Sequence, residues 1–166
     1  MTSTASTATA STDTTAGTGT TAGTGTTAGT GTTAGADTTA TAGTAAARGL
    51  VQDYLEKVWN QGRTDLADRY LAADLLQHNP NLADGLAPLT AFVDGLRVQL
   101  PELRFELRRL AAEGDLVFAH SHFTAAPGDP GRAVIDVFRI ADGRIAEHWD
   151  LNEAVPESTA SGRPIV

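Results

Sequence analysis

Apolar side chains recur at helical spacing in the first part of the folded region and at alternate positions in the second. Leu50, Val51, Tyr54, Leu55, Val58 and Trp59 fall on one helical face, with Asp53, Glu56 and Lys57 opposite. Thr44 serves as the predicted N-cap and Gly62 as the residue that ends this helix. A short second helix is predicted after Thr64, with Leu66, Ala67, Tyr70 and Leu71 inward, followed by an extended piece at Leu75, Leu76 and Gln77 that Asn79-Pro80 stops. Pro88 suits the first turn of a third helix, in which Leu89, Phe92, Val93, Leu96 and Leu100 recur every three or four residues before Pro101 ends it.

From residue 103 the period is two. Strands are predicted over 103–110, 116–125, 133–140 and 145–151, separated by Glu113-Gly114-Asp115, by a Pro/Gly-rich loop at 127–132, and by the Asp142-Gly143 hairpin turn. Helices followed by a meander of strands make an α+β domain, with helices covering one face of an antiparallel sheet. The residues after Leu151, with Pro156, Gly162 and Pro164, form an irregular arm.

Composition divides the chain. Residues 1–47 hold 20 Thr, 13 Ala, 8 Gly and 3 Ser, and TTAGTG repeats three times from Thr14. Such side chains bury too little area to offset backbone ordering, which costs roughly 1–2 kcal/mol per residue, so 1–43 is expected to be a disordered tail. A β-helix would need inward Val, Ile or Leu that the repeat lacks, and O-glycosylation of the threonines would need export. The domain is then 44–160 and the terminal arm 161–166. Twelve basic against 20 acidic residues, a net charge of -8, leave no basic stripe for nucleic acid. The absence of cysteine excludes a disulfide scaffold and a thiolate metal site. No apolar run is long enough to span a bilayer, and the first eleven residues lack a secretory pattern, so a cytoplasmic location is expected.

The candidate chemistry lies in the strands. Alternation puts Phe118, His120 and His122 on one face of their strand, Val134, Asp136 and Phe138 on one face of the next, and His148 and Asp150 opposite Glu147 and Trp149 on the last. Ionisable groups in mid-strand are costly to bury unless paired, so they either satisfy one another or line a cavity used for chemistry. His120-x-His122 with Asp136 is also a conceivable three-ligand metal set.

Gln77-His78-Asn79-Pro80, His120-Ser121-His122, Asp136 to Ile140, and above all Asp142 to Leu151 resemble the SnoaL-like group of the nuclear-transport-factor-2-like superfamily, close to its branch of aldol-condensation-catalysing enzymes and ester cyclases. The resemblance implies a cone-shaped fold with three N-terminal helices and a curved antiparallel sheet around a pocket, a homodimer packed through the sheets, and no metal or organic cofactor. It also implies acid/base chemistry α to a carbonyl on a hydrophobic small molecule. Asp150 then falls at the family's catalytic aspartate, and Asp136 at a partner position where the cyclases carry histidine. On this reading His148, His120 and His122 polarise the carbonyl or shuttle the proton, and His78, Phe118, Phe138, Tyr54 and Trp59 line the pocket. The competing reading is a non-catalytic module of the same fold that binds a small molecule or dimerises.

Overall fold

The computed structural model describes residues 34–166, so most of the tail, residues 1–33, lies outside the described residues. Helix α1 spans Ala34–Tyr54 and therefore starts ten residues before the expected cap. Alanine is the strongest helix former, and the Ala-rich stretch before Arg48 carries the helix back past Thr44. The helix continues through one widened turn, Leu55–Asn60, in which Gln61 N–H donates to the Glu56 carbonyl at 3.0 Å, five residues back. Beyond Gly62 the predicted second helix is a single tight stretch, Thr64–Arg69, and α2 spans Leu86–Gln99.

One strand precedes α2 and four follow it: β1 Leu71–Gln77, then β2 Arg104–Glu113, β3 Leu116–Thr124, β4 Arg132–Ala141 and β5 Arg144–Ala154. Their order in the sheet is β1-β5-β4-β3-β2. The expected antiparallel sheet is in fact mixed, because β1 runs parallel to β5. Leu71, expected on a helix, opens β1, where Leu71 and Leu75 point into the core. The pairing joins segments about seventy residues apart, so no local pattern marks it. The β4–β5 hairpin turns as expected, with Asp142 and Gly143 both at positive φ, +49° and +71°.

Both helices and the sheet contribute to one core. Val51, Tyr54 and Val58 meet Leu89 and Val93 on the helical side, and Val117, Ala119, Phe138 and Ile145 on the sheet side. The opposite face of the sheet leaves Phe118, Ile135 and Leu151 exposed. Among the described residues no helix is long and apolar enough to cross a membrane.

Candidate functional site

A cavity of about 170 Å³ opens between the helices and the inner face of β2 to β5. Its helical wall is Tyr54, Leu55, Trp59, Phe92 and Leu96, and its sheet wall is largely Phe105, Phe123, Val134 and Phe138. Against this apolar lining stand Asp136, His148 and Asp150. Register explains how they meet, because Asp136 on β4 lies directly opposite Asp150 on β5, and Phe138 lies opposite His148.

The two carboxylates have unlike surroundings. Asp136 is buried, with Oδ1 at 3.0 Å from His148 Nε2 and Oδ2 left without a partner. Burial pushes its carboxyl above the usual range; the His148 hydrogen bond opposes that rise and the charge of Asp150 adds to it. Asp150 is half-buried at the cavity, where its Oδ1 accepts a hydrogen bond from Asn79 Nδ2 at 2.7 Å. Asn79 Oδ1 in turn accepts from the Asn81 backbone N–H at 2.8 Å, which fixes the amide with its nitrogen toward Asp150.

His148 is held on all sides. Its Nδ1 lies 3.0 Å from the Gln77 side-chain amide, at Oε1, and its ring stacks on Phe138 with centroids 4.9 Å apart. Gln77 Nε2 is buried without a partner. Deeper in, Trp59 Nε1–H donates to the Tyr54 hydroxyl at 2.8 Å, and burial followed by the nearby Asp136 charge raises the Tyr54 phenol despite that bond.

The structure thus brings together six of the residues singled out from the sequence: Tyr54, Trp59, Asp136, Phe138, His148 and Asp150. It does not bring in Phe118, His120, His122 or His78. Alternation correctly keeps Phe118, His120 and His122 on one face, but that face is the outer one; the inner residues of β3 are Val117, Ala119, Ser121 and Phe123. Outside, His120 Nδ1 meets Arg109 Nη1 at 2.8 Å, and His122 Nε2–H donates to the Pro130 carbonyl at 2.8 Å. The sheet therefore separates this pair from Asp136, and among the described residues no cluster of three metal-ligating side chains forms. His78, expected at the cavity, lies half-exposed across β5 from it, stacked on Trp149 at 4.7 Å and 2.9 Å from Glu147. Four polar residues of the site escaped the sequence reading: Gln77, Asn79, Arg132 and Asn152. Period two was the signal for the last pair, since Arg132 is four before Asp136 and Asn152 two after Asp150.

A family model for a SnoaL-like domain matches residues 51–148. Among solved structures, TsrD from Streptomyces laurentii is 26% identical, with 66% of this chain and 89% of that one covered at a TM-score of 0.55. A candidate polyketide cyclase from Bacillus cereus is 23% identical, covering 65% of this chain and 74% of that one at a TM-score of 0.58. A candidate ketosteroid isomerase from Kribbella flavida is 20% identical, covering 70% and 84% at a TM-score of 0.58, and these last two speak for the fold alone. No curated protein matches the chain.

Proposed function

Because the chain belongs to the SnoaL-like domain family, we propose that it is an acid/base enzyme that removes a proton α to a carbonyl, using side chains alone, with aldol-type ring closure or isomerisation as the outcome. The observation that carries this reading is the in-register pair Asp136 and Asp150, one dry and raised, the other open to the cavity and hydrogen-bonded to an amide. A carboxyl raised by burial, facing one that is open to the cavity, divides the pair naturally into acid and base.

Asp150 takes the proton from carbon. The enolate oxygen that forms needs a hydrogen-bond donor in a dry place, and Asp136, whose burial favours its protonated form, supplies it. The Gln77 amide makes this possible. Turned end for end, its orphaned nitrogen donates to His148 Nδ1, His148 then donates Nε2–H to Asp136 Oδ1, and the carboxylic proton sits on Oδ2, which is unpartnered but closed off until a small turn of the carboxyl brings it to the enolate oxygen. The apolar lining keeps competing water out of the reaction.

The test is solvent exchange. Small methyl ketones such as acetophenones, incubated with the full chain in heavy water, are expected to lose their α-proton NMR signals faster than in buffer alone. No acceleration across the panel would contradict the reading and favour a non-catalytic binding module.

A homodimer packed through the outer face of the sheet belongs to the same proposal. Ile135 is 43% and Leu151 78% exposed there, beside Phe118 and the half-buried Val137 and Trp149, more apolar surface than water-facing strands carry. Sedimentation at micromolar concentration is expected to give the dimer mass, and a strict monomer would remove this part.

A further inference from the structure

Resting on that reading, we infer that the substrate is a small carbonyl compound, about one ring in size, carrying a carboxylate that Arg132 binds at the cavity mouth. Size comes first. A dry cavity of about 150 Å³ holds one benzene ring, so the 170 Å³ here encloses a ring with short substituents.

Charge comes from Arg132, which alone among the residues lining the cavity carries a permanent positive charge. Three other arginines are held in ion pairs, Arg63 with Asp65, Arg108 with Glu106 and Arg139 with Glu147, and none of the three lines the cavity. Arg132 is exposed and forms no ion pair among the described residues; it donates only from Nε, to Asn152 Oδ1. Its terminal N–H groups are therefore available as the fork that suits a carboxylate.

Asn152 faces Val134 one rung outward from the Asp136–Asp150 level. Two residues along a strand are about 7 Å, so a carboxylate held by Arg132 beside Asn152 lies roughly that far from the carbon losing its proton. Gly131, at φ +75°, fixes where the arginine starts: an added Cβ would collide with the Phe123 carbonyl, so the chain passes too close to β3 for any side chain.

A para-substituted benzene spans this distance. Titration calorimetry with the full chain compares 4-acetylbenzoate with 4-acetylbenzamide, the same shape without the charge. The acid is expected to bind at least about tenfold more tightly. Arg132→Gln should erase that preference, weakening the acid at least about tenfold more than the amide, with the melting temperature unchanged, and Arg132→Lys should keep part of it. Equal affinity of wild type for the two compounds, binding of neither, or a preference that survives Arg132→Gln would overturn the inference. Binding is read without turnover. An Arg132-dependent preference without any solvent exchange would sink the enzymatic reading alone, whereas exchange with no preference for the acid would sink only this inference.

Discussion

Asp150→Asn is expected to slow solvent exchange by about 10² to 10⁴ in kcat while leaving the fold intact. Asparagine has nearly the same volume and still accepts a hydrogen bond from Asn79 Nδ2, so the loop 79–81 stays in place. What it lacks is the basicity to take a proton from carbon. Because the base acts only as the C–H bond breaks, the loss should fall on kcat with KM little changed. A variant that loses activity only by unfolding would make Asp150 a structural partner of Asn79. Full activity on a turned-over ketone would pass the role of base to Asp136.

Phe138→Ala should cost about 3–5 kcal/mol of stability, a large share of the roughly 5–15 that a domain has. Phe138 is 2% exposed, meets Tyr54 edge-on at 5.9 Å and stacks on His148 at 4.9 Å. Truncation removes the contacts that hold the helical wall and the histidine at once, and α1 cannot collapse onto β4 without dragging Tyr54 along. Urea unfolding measures the loss. Val98→Ala, at a side chain 84% exposed, should stay within about 0.5 kcal/mol and serves as the control. A Phe138→Ala cost below about 1 kcal/mol would mean that this wall of the cavity is loosely packed.

The strands of the second half were legible because a period of two commits every other residue to one face. That sufficed to group Asp136 with Phe138, and His148 with Asp150. Choosing which face turns inward was harder on β3. Its outer face carries the larger Phe118, His120 and His122, whereas the inner Ala119 and Ser121 are small and fully buried. Helix α1 lies over β2 and β3, and small inner residues suit a helix packed close to the sheet, so size pointed the wrong way. His78 was displaced for a related reason: it directly follows β1, whose parallel register on β5 sets His78 beside Glu147 and Trp149, and nothing local encodes that register. Asn79 and Gln77 reach the site through the same non-local pairing, so their roles were beyond any reading of spacing.

The division of labour between the two carboxyls rests on Asp136 binding its proton more tightly in the folded protein than in the unfolded chain. A raised carboxyl contributes its full share of stability below the unfolded value of about 3.9 and loses it as pH rises through the folded value. Titration of aspartate carboxyl ¹³C resonances, with Asp136 assigned by its disappearance in Asp136→Asn, reads the folded value itself. The account predicts a midpoint above the ordinary aspartate range, together with an Asp136→Asn variant that melts higher than wild type near neutral pH and shows no such advantage near pH 3. A midpoint at or below about 3.9 would mean that His148 holds Asp136 ionised, and would contradict its role as the acid.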